Sequence, residues 1–159
     1  MNDATTLHLE RHLNAPPEKV WRCLTEPDLL RQWFAPRPVE ITDLHLDLTP
    51  GGIFGFAMHI PEMGEMREPP GCILLVEPQR RLVWTSALGP GFVPKLLPDM
   101  PGAFHMTADM RLSPKGDGTL YTATALHATT EGKAAHEAMG FHEGWGSAAD
   151  QLGELAATL

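Results

Sequence analysis

The histidines are the residues of this sequence with the most versatile chemistry. The 159-residue chain has eight of them, and imidazole can bind a metal, transfer a proton or accept a hydrogen bond. In a predicted hairpin that turns over residues 113–118, Leu112 is set opposite Leu120, and His105 then faces His127. Such a cross-strand pair lies close enough to share a metal ion. Two ligands alone make a weak site, so we predict neither a metal nor a cofactor.

The common catalytic motifs are absent from the sequence. No serine lies in a Gly-x-Ser-x-Gly elbow. His136-Glu137 begins like a zinc-protease helix, but Gly140 stands where the second histidine is needed. The segment Gly144-Trp145-Gly146 has no third glycine at dinucleotide-binding spacing. We therefore assign no catalytic residue.

Two polar residues near the C-terminus are candidates for contacting a ligand. Glu137 lies four residues before Phe141, within the apolar stripe of a predicted helix, where a buried carboxylate needs a partner or a proton. His142 lies at the edge of the same stripe. Each has a second interpretation: Glu137 can be solvated or paired with an arginine such as Arg37, and His142 can simply flank the core.

Large apolar side chains are more numerous than a sheet packed on one helix requires. Methionine and aromatic residues commonly line adaptable pockets, so we expect several of them to surround an internal cavity. The alternative is an ordinary core. The predicted ligand-binding residues are Trp33, Phe34, Phe54, Phe56, Met58, Trp84, Phe92, Met106, Glu137, Phe141, His142 and Trp145.

The pattern that must position these residues begins with one strand and two short helices. Leu7–Leu13 alternates as a half-buried strand. Pro16-Pro17 starts the first helix, and Thr25-Glu26-Pro27-Asp28 starts the second, which is predicted to carry Trp33 and Phe34. The further strands, separated by glycine and proline turns, are predicted at Val39–Leu48, Ile53–Ile60, Gly71–Val76, Arg81–Ser86, Phe104–Leu112 and Thr119–His127.

The segment Ala87–Pro101 combines prolines and glycines with large apolar residues, including Phe92 and Leu96, and so apolar a loop is expected to cover something. Long loops in compact domains are commonly functional. The segment has three interpretations: a lid over the cavity, a loop packed into the core, or a contact between two copies in a homodimer. As a lid, it would point Phe92 and Leu96 at the cavity mouth.

The C-terminal segment Thr130–Leu159 gives the strongest helical pattern, with an apolar stripe that includes Ala134, Phe141 and Leu152. Glycines interrupt it at positions 132, 140, 144, 146 and 153, each costing about 1 kcal/mol relative to alanine. We expect these glycines to allow close packing of the helix against its neighbours. A kink or break is the alternative.

The composition and charge of the chain disfavour several classes of partner and location. The formal charge is −8 and 43% of the residues are hydrophobic, which disfavours nucleic acids and anionic membranes as partners. No apolar run is long enough to span a bilayer, and the first residues lack a signal-peptide pattern, so we expect a cytoplasmic protein. Cys23 and Cys72 are expected to be free and buried.

Short pieces spread over nearly the whole chain carry a family resemblance. They are Ala15-Pro16, Val20-Trp21, Trp33-Phe34, Gly51-Gly52 with Phe54, Gly71, Leu82, Gly118-Thr119, and Gly144-Trp145 with Leu152. In this order they resemble the activators of heat-shock-protein ATPase (Aha-type domains), within the START-like, birch-pollen-allergen-like superfamily. The segment Gly140–Trp145 is similar to a bacterial branch of that family.

The resemblance implies a deep cavity between the sheet and the long helix, where superfamily members bind lipids, polyketides or plant aromatics. Some members are cyclases or hydratases. Co-chaperones of this family carry an additional N-terminal domain that these 159 residues do not include, and the acidic charge differs from a surface made for an acidic partner. We therefore do not expect chaperone activity.

Residues and resemblance together predict one α+β domain over residues 1–159 with a helix-grip fold. Its curved antiparallel sheet of about six to seven strands wraps around a long C-terminal helix, and two short helices follow the first strand. The expected partner is a small apolar or amphipathic molecule in the cavity. An enzyme of cyclase or hydratase type and a stress-related protein-interaction module stay open as alternatives.

Overall fold

The computed structural model describes residues 3–159, in which a curved antiparallel sheet packs against a C-terminal helix. The helices are α1 Pro17–Thr25, α2 Pro27–Leu30, α3 Thr130–Ala138 and α4 Phe141–Ala156. The strands are β1 Thr6–Leu13, β2 Glu40–Leu46, β3 Ile53–Ile60, β4 Gly64–Arg67, β5 Gly71–Glu77, β6 Arg81–Thr85, β7 Leu88–Gly89, β8 Val93–Pro94, β9 Met106–Lys115 and β10 Gly118–His127.

The main sheet has eight strands in the order β1-β10-β9-β6-β5-β3-β2, with β4 paired to β3 beside this path. All its pairs are antiparallel. The predicted helix-grip class is confirmed. The additional strand is β4, which the sequence pattern missed because its Gly-Glu-Met-Arg sequence does not alternate and three of its four residues are exposed.

The predicted register of the β9–β10 hairpin is wrong by one residue. Leu112 pairs with Tyr121, and Leu120 pairs with Ser113. The strands continue to a tight turn in which Lys115 pairs with Gly118 and Gly116 has a positive φ of 61°, a conformation that glycine adopts without strain. A register shift of one residue moves every side chain of the shifted strand to the face opposite the predicted one.

This shift corrects two predictions. His127 pairs with Met106, so His105 and His127 do not face each other as a cross-strand pair. The predicted register also puts Leu126 on the same side as Met106 and Met110. Leu126 instead lies on the outer face and is exposed, whereas the two methionines lie on the side that faces the helices.

The predicted continuous C-terminal helix is also corrected, because it breaks at Gly140. That glycine has φ 93°, a left-handed conformation, and separates α3 from α4. Ala134 and Ala138 of the predicted stripe consequently lie exposed on α3. In α4 the stripe is buried as predicted, with Phe141, Ala148, Leu152 and Ala156.

The close-packing interpretation holds for two glycines of α4. A Cβ at Gly146 would lie 2.8 Å from the Arg11 guanidinium, and one at Gly153 would lie 3.1 Å from Leu13 Cδ2. Both contacts are with β1, so these glycines let the helix approach the edge of the sheet.

The structure also bears on the expectations about the cysteines and about membrane-spanning segments. Cys23 and Cys72 are free and buried, as predicted, and burial raises the pKa of Cys23 to about 11. Within residues 3–159, no helix is long and apolar enough to cross a membrane.

Candidate functional site

A cavity of about 400 Å³ lies between the inner face of the sheet, α4 and the segment that follows α2. Its volume is within the range of small-molecule sites. Most of the predicted ligand-binding residues line it. They are Trp33, Phe34, Phe56, Met58, Trp84, Met106, Phe141 and Trp145.

Four predicted residues do not line the cavity. Phe54 is buried directly behind it, where its ring stacks on Trp84 at 4.4 Å. Glu137 and His142 are both exposed and contact each other, with 3.2 Å between Glu137 Oε2 and His142 Nε2. Phe92 is half-exposed on the 87–101 loop. The break at Gly140 explains the placement of Glu137, since α3 does not continue the stripe of α4 and instead turns His136, not Glu137, towards the core.

Arg37, the arginine considered as a partner of Glu137, instead forms an ion pair with Glu154, with 2.8 Å between Nη2 and the carboxylate. Both side chains are largely exposed. The polar end that Glu137 was predicted to supply must therefore come from other residues.

The 87–101 loop does not cover this cavity. It forms the small β7–β8 hairpin, and Gly91 N–H donates to the Gly51 carbonyl over 2.7 Å. Phe92 packs beside Gly51 at the β2–β3 turn. None of the loop residues lines the cavity, so neither Phe92 nor Leu96 points to its mouth as the lid interpretation required.

Segment 33–37 forms one wall, and its backbone is held by the side chain of Gln151 of α4. Gln151 is 8% exposed, and its Nε2 donates to the carbonyls of Trp33 and Ala35 over 3.1 and 2.9 Å. Its Oε1 accepts from Arg37 N–H at 2.9 Å. Because α2 ends at Leu30, earlier than predicted, these bonds substitute for helical ones.

Three of the residues that line the otherwise apolar cavity carry polar side-chain groups. The first is the indole N–H of Trp84, a residue that is 6% exposed. Within the described residues, this buried N–H has no hydrogen-bond partner. The indole of Trp33 differs, because it donates to the Cys23 carbonyl over 2.8 Å. An unpaired buried donor is costly, so Trp84 marks a position where a ligand acceptor would be stabilising.

The second group is the hydroxyl of Tyr121, which is 3% exposed and lines the cavity. Burial raises the pKa of Tyr121 well above its usual value. The phenol therefore stays protonated and can donate a hydrogen bond.

The third group is His136 of α3, which also lines the cavity and is 8% exposed. Its ring stacks on Phe104, with 4.7 Å between the centroids, and meets Phe141 and Trp145 edge-on. His136 Nδ1 lies 2.9 Å from His127 Nε2, and His127 Nδ1 lies 2.9 Å from the Thr5 carbonyl oxygen. Burial and the neighbouring His127 lower the pKa of His136 to about 4, so the ring is neutral at neutral pH.

The sequence patterns predicted Trp84 as a ligand-binding residue but missed Tyr121, His136 and the mouth of the cavity. His136 was considered only as part of a protease motif. In one continuous helix it would lie about 140° from Phe141, off the apolar stripe, and the break at Gly140 brings it to the cavity. The mouth includes Met139, which is 75% exposed although it borders the cavity, together with Gly140 and Gly144.

Other depressions of the surface are less suited to an apolar ligand. Two further depressions, of about 320 and 560 Å³, are bordered by exposed charged side chains such as Arg80, Arg111 and Glu154. Among the side chains of residues 3–159, no group of three His, Cys, Asp or Glu could hold a metal ion.

A curved antiparallel sheet that encloses an apolar cavity against a C-terminal helix defines the helix-grip class, whose members are ligand-binding or interaction modules in general. Within that class, residues 14–157 match the model of the family described as Activator of Hsp90 ATPase homolog 1-like protein. The chain belongs to this family. No curated protein sequence matches it significantly.

Solved structures agree with this assignment. A crystal structure of a protein from Nitrosomonas europaea is 44% identical, with a TM-score of 0.91 over 99% of this chain and 97% of that one. A Rhodobacter sphaeroides protein is 27% identical, with a TM-score of 0.82 over 100% and 97%. An AHSA1-like protein from Aeromonas hydrophila, 20% identical with a TM-score of 0.69 over 96% and 92%, shares the fold.

Proposed function

We propose that this protein binds a small hydrophobic or amphipathic molecule in the cavity between the sheet and α4. The observation that carries the proposal is an apolar cavity of about 400 Å³ lined by Trp84, a residue whose buried indole N–H has no partner among residues 3–159. Such a donor would be expected to have an internal partner if the cavity were only a packing defect. A ligand oxygen would satisfy it while the aromatic rings cover the rest of the molecule.

The aromatic side chains on one side of the cavity favour a planar or flexible apolar ligand. Phe34 contacts the rings of Phe56 and Trp84, with centroids 5.4 and 6.2 Å apart, and Trp84 in turn stacks on Phe54. This connected set fixes one side of the cavity. Met58, Met106 and Met110 border it as well, and their unbranched side chains can adapt to the shape of the guest.

The proposal is tested by filling the cavity from α4. A Cβ at Gly144 would have only Pro36 within 4 Å, at 3.9 Å, so Gly144→Leu places a side chain in the mouth without a backbone clash. Leucine in place of glycine also favours the helix by about 1 kcal/mol. We expect the variant to fold. It should bind the neutral fluorescent probe N-phenyl-1-naphthylamine at least roughly tenfold more weakly than the native protein, because the added side chain occupies volume that the probe needs.

The matched control is Ser147→Leu, which adds the same side chain to an exposed position of α4. It should bind the probe like the native protein. If the native protein shows no saturable binding of the probe, or if both leucine variants bind alike, the cavity is not a binding site.

The natural ligand can then be sought by native mass spectrometry of the purified protein, followed by extraction. A binder returns its ligand unchanged after incubation with fresh protein, whereas a cyclase or hydratase converts it. Conversion would favour the enzyme alternative.

A further inference from the structure

The hydrogen-bond chain from Thr5 to His136 determines which nitrogen of His136 carries the proton. The Thr5 carbonyl oxygen can only accept, so His127 Nδ1, 2.9 Å away, donates to it. In its neutral form His127 then has an unprotonated Nε2, which accepts from His136 Nδ1 at 2.9 Å. Neutral His136 is left with its proton on Nδ1 and an unprotonated Nε2.

This unprotonated nitrogen lies in apolar surroundings. The ring of His136 is packed among Phe104, Phe141 and Trp145, and the residue borders the cavity with 8% of its surface exposed. Inside the described part of the chain, no hydrogen bond involves His136 Nε2. An acceptor beside an apolar cavity is stabilised by any donor that reaches it.

We propose that His136 Nε2 accepts a hydrogen bond from a hydroxyl group of the bound molecule, so that the cavity selects neutral hydroxylated ligands. This inference rests on the proposed function, and it adds the chemistry of the ligand's polar end. Trp84 and Tyr121 line the same cavity, and both side chains carry a donor that can serve an oxygen atom of the same ligand.

The geometry disfavours two other ligand types. An ether has no proton for His136 Nε2, and a carboxylate would set its lone pairs against the nitrogen lone pair. Accepting a carboxylate would require protonation of His136, and the depressed pKa of this group, about 4, opposes that at neutral pH. The same low basicity makes His136 a hydrogen-bond acceptor rather than an effective general base.

The preference for hydroxylated ligands is tested with naphthalene compounds of similar shape that differ in their polar group. At neutral pH, isothermal titration calorimetry compares 2-naphthol, 2-methoxynaphthalene and 2-naphthoate. We expect 2-naphthol to bind roughly tenfold more tightly than 2-methoxynaphthalene, as one buried hydrogen bond predicts, and more tightly than 2-naphthoate. Equal affinities, or tighter binding of the ether or the carboxylate, would overturn the inference.

The role of His136 is tested with His136→Asn. The asparagine amide can still donate to His127 in the place of Nδ1, but it has no atom equivalent to Nε2. The ratio of the naphthol to methoxynaphthalene affinities should fall to about one. His8→Asn, at an exposed histidine of β1, should keep the native ratio. A native ratio in His136→Asn would overturn the inference.

A second measurement does not depend on any variant. Long-range ¹H–¹⁵N spectra of the native protein report which nitrogen of each histidine is protonated. We expect the Nδ1–H tautomer at both His127 and His136, and an Nε2–H tautomer at His136 would contradict the proposal. If none of the naphthalene probes nor N-phenyl-1-naphthylamine binds, the proposed function fails. Binding without hydroxyl preference removes only this inference.

Discussion

Trp84 and Trp33 border the same cavity but differ in what their indole N–H groups contact. Both residues are almost fully buried, at 6% and 2% exposure. Trp33 donates to the Cys23 carbonyl, whereas Trp84 Nε1 is without a partner in residues 3–159. A hydrogen bond contributes about 1 kcal/mol to stability. The effect of this difference on the free energy of unfolding is therefore measurable with single substitutions.

We predict that Trp33→Phe lowers the free energy of unfolding by about 1 kcal/mol more than Trp84→Phe does. Both changes remove the same atoms, but only the first breaks a hydrogen bond and leaves a buried carbonyl unpaired. Urea denaturation measures the difference. Equal losses would mean that the Trp84 N–H is satisfied in solution by a partner such as a bound water.

His136 makes stability depend on pH in a defined direction. Its pKa is lowered from an ordinary value of 6.5 to about 4, first by burial and then by His127. Between these values the unfolded chain binds a proton that the folded chain does not bind, so the free energy of unfolding falls as the pH falls. Below about pH 4 both states are protonated, and the contribution levels off.

We predict that this group contributes a loss of up to about 3 kcal/mol in the free energy of unfolding between about pH 6.5 and about pH 4. Urea denaturation of the native protein and of His136→Asn across this range isolates the effect, because other acid-labile groups are common to both. Parallel stability curves for the two proteins would show that His136 does not titrate in this way.

Segment 33–37 depends on tertiary contact rather than on its own helix propensity. Helix α2 has only four residues, too few to be stable alone. Trp33 and Phe34 therefore reach the cavity because Gln151 of α4 binds the backbone of the segment at three points. The wall of the cavity and the long helix are thus coupled through one buried amide.

We predict that Gln151→Leu lowers the free energy of unfolding by about 2–4 kcal/mol, since it leaves buried carbonyls and an N–H unpaired. It should also weaken binding of N-phenyl-1-naphthylamine by loosening the wall. Gln32→Leu is the control, because among residues 3–159 that exposed side chain bonds only the Asp28 carbonyl. This change should alter stability by less than about 0.5 kcal/mol. Similar urea midpoints for both variants would rule out the anchoring role of Gln151.

At the scale of the whole molecule, the cavity opens beside the α3–α4 junction and away from the 87–101 loop. Met139 and Gly140 lie at the mouth, together with Pro36 and Val39. Apolar residues of the loop, such as Leu96 and Leu97, are instead exposed. Ligand binding should therefore order the junction and the segment after α2.

We predict that saturating 2-naphthol slows amide hydrogen exchange in residues 33–41 and 137–146, and leaves residues 87–101 unchanged. Ordering on binding appears where the ligand contacts mobile backbone. Exchange measured by mass spectrometry along the whole chain tests this expectation. Slowed exchange in the loop would restore the lid interpretation.

The sequence by itself determined the elements whose signal is local. The alternation of Leu7, Leu9 and Leu13, and the stripe of α4 with Phe141 and Leu152, are buried as predicted, because strand and helix periods follow from backbone geometry. Most aromatic residues of the cavity were also predictable, since a surplus of large apolar side chains needs a place to pack.

Tertiary structure decided the rest. The β9–β10 register depended on a turn at Gly116, and a shift of one residue exchanges the two faces of a strand. Gly140 could equally have lain within a helix or ended one, and only packing selected its left-handed conformation. The break also puts His136, and not its neighbour Glu137, beside the cavity. The hydrogen-bond chain that reaches His136 begins at Thr5, which is distant in sequence.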